Sequence, residues 1–239
     1  MSNILDMVFP PTALDGGPPT ATTGLGGETW SRVRFLEDPV CDGCGAPFDY
    51  DRGVGARCLA CEADPPAFGR ARAACLYDDA SRDLILQYKH ADRTELAVLF
   101  AKWLGRAAAE LIAEADAVAP VPLHPIRLLN RRYNQAAEIA RPLARRHGLD
   151  YLPDALVRTR LGTQAGKSRS GRRRAIAGAF AVPQLRRKQV EGRRILLIDD
   201  VFTTGATVEG CARALLKAGA ASVDVAVVAR VRETHDVSI

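Results

Sequence analysis

Apolar positions in the second half of the chain follow two alternating rhythms. Residues 117–122, 195–198 and 222–229 are short runs rich in apolar side chains, as strands buried on both faces would be. Between them, residues 134–147 and 206–218 repeat apolar side chains at helical spacing, and Gly148 and Gly219 stand as stops. Pro142 predicts a kink in the first of these helices. Residues 151–157 and 177–182 read as further strands, and 162–174 as a basic, glycine-containing loop. Strands alternating with helices imply an α/β fold, a parallel sheet flanked by helices.

Upstream the rhythm is helical. Residues 80–90 place Leu84, Ile85 and Tyr88 on one face. Residues 94–115 read as one longer helix, with Leu96, Leu99, Phe100, Trp103, Leu104, Ala107 and Leu111 recurring at its spacing. Residues 3–10 suggest a short helix, and 12–29 a Gly/Thr/Pro-rich linker. Residues 38–66 carry too little apolar material for a core of their own, so something else must hold them together.

Cysteine supplies the candidate. Cys41 and Cys44 form one C-x-x-C pair, Cys58 and Cys61 a second, with 13 residues between. Two such turns present four sulfurs to one structural Zn²⁺ and leave no open position for chemistry. Gly43 and Gly45 permit the tight turn at the first pair. An iron–sulfur cluster or a redox pair are the other uses of such cysteines, but the spacing and the lack of a following Pro favour zinc. Cys75 and Cys211 stand alone and read as small buried residues.

The most specific stretch follows the apolar run 195–198. Asp199 and Asp200 sit where that strand is expected to end, followed by Val201, Phe202, Thr203, Thr204, Gly205, Ala206 and Thr207 at the start of a helix. Ligands of open α/β sheets bind at the carboxyl ends of strands. Small residues at a helix N-terminus turn backbone N–H groups and a partial positive charge toward an anion, and the three hydroxyls add donors. Two carboxylates beside a phosphate cradle must hold something else, and sugar hydroxyls or a Mg²⁺-bound sugar fit. The rival reading is a strand and an Asp/Thr helix cap with no ligand.

Charge sharpens this. The chain has 33 Lys/Arg and 28 Asp/Glu, but residues 126–194 hold 18 of the former and 4 of the latter. A solvated basic face or an anionic partner, phosphate or nucleic acid, would explain the bias. No apolar run is long enough to span a bilayer, and residues 3–10 do not make a secretory signal, so a cytoplasmic protein with no membrane partner is expected.

The segment 195–207 resembles the phosphoribosyl-pyrophosphate fingerprint of type I phosphoribosyltransferases. The chain as a whole is similar to the ComF/GntX family (competence protein F-like). Matching stretches are Leu76-Tyr-Asp-Asp, Leu86-Gln-Tyr-Lys-His, Ala119-Pro-Val-Pro-Leu-His, Arg131-Arg-Tyr-Asn-Gln and Gly178-Ala-Phe. The resemblance implies Asp199 and Asp200 at the ribose and Thr203–Thr207 at the 5′-phosphate, with Mg²⁺ accompanying the diphosphate. It implies a pyrophosphate-side loop at residues 120–124, including His124, a substrate contact at Lys89, and a mobile lid near 158–174 carrying Gln164, Lys167, Arg169 and Arg172. It also implies an acceptor-binding hood near residues 65–95. His124 reads equally as a packing residue, Lys89 as a basic helix end, and the lid as a linker or nucleic-acid contact. Asn134 and Gln135 either contact a ligand or cap the following helix.

The expected organisation is an N-terminal segment over 1–37, a zinc knuckle over 38–66 and a phosphoribosyltransferase-like domain over 67–239. The expected activity is transfer of a phosphoribosyl group to an acceptor that no sequence feature names. The alternative is a competence factor that binds single-stranded DNA or DNA-processing proteins without turnover. Family members often carry another cysteine pair where this chain has residues 12–17, and Asn where it has Ala175.

Overall fold

The computed structural model describes residues 13–15, 24–90, 95–123, 133–159 and 178–232. Its centre is strand β6 (Arg194–Phe202). It is flanked in parallel by β7 (Ser222–Arg230) and β2 (Ala117–Pro120), and β1 (Ala71–Leu76) and β3 (Asp150–Tyr151) lie outside them. The order is β1-β7-β6-β2-β3, and every pairing is parallel. This is the parallel sheet flanked by helices that the alternating rhythm predicts.

Parallel strands joined by helices are covered on both faces, so both faces must be apolar. Side chains alternate across the sheet. Ile195 and Leu197 pack with Val208, Cys211 and Leu215 of α8 (Ala206–Lys217) on one face. Leu196 and Ile198 pack on the other against α4 (Glu95–Ala107) and α6 (Gln135–His147). Helix α3 (Asp79–His90) adds Leu84, Ile85 and Tyr88 to that second face. Each such aliphatic side chain, fully buried, contributes roughly 1.5–3 kcal/mol.

Several elements depart from the sequence expectation. Residues 94–115 are not one helix: α4 ends at Ala107 and α5 (Ala109–Glu114) restarts after Ala108, whose φ −122° and ψ 30° leave the helical region. The break keeps Leu104, Ala108, Leu111 and Ile112 all buried against the same face. Residues 151–157 do not form one strand either. Pro153 lies between β3 and β4 (Val157–Arg158), and β4 pairs antiparallel with β5 (Phe180–Ala181). Helix α6 continues through Pro142, where a kink was expected, as one element, and it starts from the Asn134 cap; its stop at left-handed Gly148 is as expected. Helix α8 and strand β7 also lie close to their expected bounds.

Strand β1 is absent from the sequence reading. Its residues are small and of weak strand propensity, and its place is set by pairing with β7, for example Ala73 with Val227. It joins the sheet where part of a hood was expected. The cysteine segment also packs on the sheet: Cys41, Cys44, Ala46 and Cys61 are buried with Ala71, Phe202 and Val225. It contains α2 (Leu59–Ala63), and α1 (Gly27–Arg32) precedes it. Cys75 and Cys211 are both fully buried, as small core residues should be.

Replacing Leu197, which is 0% exposed, by Ala is expected to cost about 2–5 kcal/mol in urea unfolding. The same change at Leu185, 93% exposed, should cost less than about 0.5 kcal/mol.

Candidate functional site

Strand β6 does not end before its carboxylates. Its ladder with β7 continues to Phe202 opposite Arg230, whereas its ladder with β2 stops at Ile198 opposite Pro120. Asp199 and Asp200 are therefore held in extended backbone on one side and stand beyond the end of β2 on the other. That geometry makes a crevice at the carboxyl edge of the sheet, where ligands of such sheets bind.

After Phe202 the chain turns into α8 through Thr203, Thr204 and Gly205. Gly205 occupies the N-cap with φ 72° and ψ −2°. A Cβ there would come within 2.6 Å of Phe202 Cζ, so the position is closed to any side chain by both strain and contact. The first N–H groups of a helix lack intrahelical acceptors. Thr203 is exposed, and Thr204 and Thr207 are half-buried. The open amides and the dipole of such a helix start suit an anion, and the three threonines stand at or beside it.

The two carboxylates are not equivalent. Asp200 Oδ2 accepts an ion pair from Lys89 Nζ at 2.6 Å. Lys89 comes from the C-terminal end of α3, so the sequence signal there marks a real neighbour of the acidic pair. Asp199 Oδ1 accepts from the Asp200 amide at 2.9 Å. Burial, and then the charge of Asp200, push Asp199 up from its ordinary value to about 8. Alternation along the strand separates them further, since the charge of Asp199 acts on Cys211 of α8 and that of Asp200 on Tyr88 of α3.

Around this crevice, Asn134 caps α6 by accepting from the Ala136 amide at 3.1 Å and donates to the Val121 carbonyl at 3.0 Å. It ties the end of β2 to the start of α6. Gln135 is buried, and its carbonyl accepts from Tyr88 at 2.8 Å. His124, Gln164, Lys167, Arg169 and Arg172 lie outside the described residues.

The four paired cysteines come together. Their sulfurs all lie within 4.8 Å of one another, and Cys44 Sγ is 3.7 Å from Cys58 Sγ. Tetrahedral zinc with bonds near 2.3 Å would set its sulfurs about 3.8 Å apart, so the set fits one metal ion. The Cys44 and Cys58 amides donate to Cys41 Sγ at 3.5 and 3.2 Å. Hydrogen bonds from the Cys44, Cys58 and Cys61 thiols pull Cys41 far below its ordinary value, and Cys61 is pushed correspondingly up. Gly45, with φ 69°, closes the first turn where the Ala71 carbonyl would meet a Cβ at 2.5 Å.

Two residues that sequence reasoning missed connect these sites. Phe202 is the floor under Gly205, and Arg230, 3% exposed, donates to the Cys44 carbonyl at 2.6 Å. The signal for Arg230 was a charge directly after the apolar run Val225–Ala229. A groove of about 850 Å³ lies between Phe48 of the cysteine segment and Arg106 of α4, with no phosphate-loop residue in its lining. A smaller cavity, about 250 Å³, lies between the cysteines and Thr204–Gly205.

Parallel sheet, acidic pair and Gly205 turn define a phosphoribosyltransferase-type domain, and the family model for the phosphoribosyl transferase domain matches residues 133–238. The chain belongs to the competence protein F-like (ComF) family. It is 31% identical over 201 residues to DNA utilization protein YhgH of Escherichia coli K12, covering 82% of this chain and 86% of that one. It is 28% identical over 193 residues to competence protein F of Haemophilus influenzae, covering 78% and 82%. Over 199 residues it is 26% identical to competence protein ComFC of Bacillus subtilis, covering 80% and 78%. Among solved structures it is similar to the glutamine phosphoribosylpyrophosphate amidotransferase of Bacillus subtilis, with 23% identity and a TM-score of 0.39 over 56% of this chain and 26% of that one. No helix among the described residues is long and apolar enough to cross a membrane.

The raised Asp199 carboxyl makes the folded chain bind an extra proton between its ordinary 3.8 and about 8. Stability should therefore fall as pH rises through that window, and Asp199→Asn should flatten the slope in urea titrations from pH 5 to 9. Elemental analysis should find one metal ion per chain, lost in Cys44→Ser or Cys58→Ser, with a lowered thermal midpoint.

Proposed function

We propose that this chain binds phosphoribosyl pyrophosphate, with Mg²⁺ on its diphosphate, and transfers the phosphoribosyl group to an acceptor. The observation that carries this reading is the unbroken run from Asp199–Asp200 through the Gly205 turn into α8, at the open end of the β2–β6 ladder. The 5′-phosphate sits at Thr203–Thr207, accepting from the first amides and the hydroxyls of α8. Asp199 and Asp200 accept hydrogen bonds from the ribose hydroxyls, and Val201 and Ala206 line the approach. In the transfer, the bond from ribose C1 to the diphosphate oxygen breaks, the diphosphate leaves with the electron pair, and the acceptor's lone pair forms the new bond. Charge on the ribose ring rises midway, and the Asp200 carboxylate, held nearby without reorganisation, stabilises it.

Lys89 already neutralises Asp200 at 2.6 Å, which supports placing the magnesium on the diphosphate rather than on the acidic pair. Cys41, Cys44, Cys58 and Cys61 hold Zn²⁺, which supplies a cross-link and no chemistry. The reading divides the chain into a segment over 1–37, a knuckle over 38–66 and the catalytic domain over 67–239, all cytoplasmic.

A second reading rests on the relatives' names, DNA utilization and competence, and on the basic bias of residues 126–194. There the chain binds single-stranded DNA or a DNA-processing protein without turnover.

Calorimetric titration with phosphoribosyl pyrophosphate and Mg²⁺ separates the two. Binding should weaken about a hundredfold or more in the double variant Asp199→Asn, Asp200→Asn, through lost charge-assisted hydrogen bonds. A folded, metal-loaded wild type that binds no phosphoribosyl pyrophosphate, yet retains single-stranded DNA with a steep salt dependence, would establish the second reading instead.

A further inference from the structure

We propose that Arg230 is a positioning residue that transmits the state of the cysteine cluster to the phosphate loop. The inference rests on the reading of those two sites given above. Arg230 ends β7 and is the register partner of Phe202. Its Nη1 donates to the Cys44 carbonyl at 2.6 Å and lies 3.6 Å from Cys44 Sγ. Its guanidinium carbon stands 5.4 Å from the centroid of the Phe202 ring. That ring lies directly under Gly205, and the Phe202 carbonyl accepts from the Val231 amide at 2.9 Å.

The remaining space between the two sites is a gap. The cavity of about 250 Å³ has Cys44 and Cys61 on one wall and Thr204 and Gly205 on the other. Beside that gap the guanidinium makes a direct polar link from the Cys44 carbonyl to the Phe202 ring. A second tie, the Ala67 amide donating to Glu209 at 2.9 Å, joins the chain after Cys61 to α8, and next to it Phe68 meets the Phe202 ring edge-on at 6.2 Å, an apolar contact that does not depend on the Cys44 carbonyl.

The chain of contacts runs from cluster to anion site in four steps. A metal among the four sulfurs fixes the Cys41–Cys44 turn and the direction of the Cys44 carbonyl. That carbonyl fixes Arg230. Arg230 fixes the plane of the Phe202 ring by a cation–π contact. The ring has little freedom beneath Gly205, so its plane sets the left-handed turn that aims the first amides of α8. Loss of the metal frees the turn at Cys44, and the loop amides lose their common aim.

Hydrogen exchange of the full chain measures this without any ligand. Stripping the metal from the wild type with a chelator should raise exchange about tenfold across residues 202–207, while β2 at Ala117–Pro120 stays protected. Arg230→Met, still metal-loaded, should show the same loop opening, and stripping it should add little more. Phosphoribosyl pyrophosphate with Mg²⁺ should bind about tenfold more weakly in both cases, since a charge-assisted hydrogen bond is lost. A loop whose exchange is unmoved by stripping, or as protected in Arg230→Met as in the wild type, overturns the proposal. A uniform rise that includes β2 overturns it as well, as does a chain that holds no metal. If Arg230→Met does not fold, the stripped wild type decides alone. Failure to bind phosphoribosyl pyrophosphate at all would sink the transferase reading and leave the exchange result to judge the coupling.

Discussion

A strand with parallel neighbours on both sides has no face to give to water. That constraint on β6 organises the rest of the molecule. Ile195 and Leu197 need a cover on one side, and Leu196 and Ile198 need another on the opposite side. Helix α8 and the cysteine segment meet the first demand, and α3, α4 and α6 the second. Once both faces are closed, the carboxyl edge is the part of β6 that remains open to a ligand. The acidic pair stands there because the β2 ladder ends three pairs earlier than the β7 ladder would require, with Ile198 the last residue matched to β2.

What was legible in the sequence was local. The run Ile195–Ile198, the acid pair, the small-residue turn and the two C-x-x-C pairs each carry their meaning within a few residues. So do the Asn134 cap and the Gly148 stop of α6. What was not legible depends on partners far along the chain. Strand β1 is written in three alanines, an arginine, a cysteine and a leucine, and only the register with Val225–Arg230 makes it a strand. The continuation of β6 through Asp199 and Asp200 has the same cause, since pairing with Val227 to Arg230 holds the backbone extended whatever the side chains are. The break at Ala108 and the role of Arg230 also required a view of what packs opposite them.

The cysteine segment illustrates how little of its own a small unit needs when a larger one lends it a surface. Cys41, Cys44 and Cys61 are buried because the sheet face beneath them is apolar, not because their segment has a core. Arg72 strengthens the seam on its outer side, reaching Asp42 at 3.1 Å and Glu110 of α5 at 2.7 Å. These pairs are partly exposed and contribute little individually, on the order of 1 kcal/mol or less. They set the orientation of the segment, while the buried sulfurs and the Arg230–Cys44 contact bear the greater part of its attachment.

Strand β1 also bears on the order in which the molecule can be made. Its pairing partner in the sheet is β7, which follows it by most of the described chain. The nascent chain must therefore hold an unsatisfied edge, with the cysteine turns above it, until residues 222–230 arrive. A chain cut before residue 222 lacks both the partner of β1 and the Arg230 that reaches the Cys44 carbonyl, so one distant strand carries the sheet edge and the seat of the cysteines together.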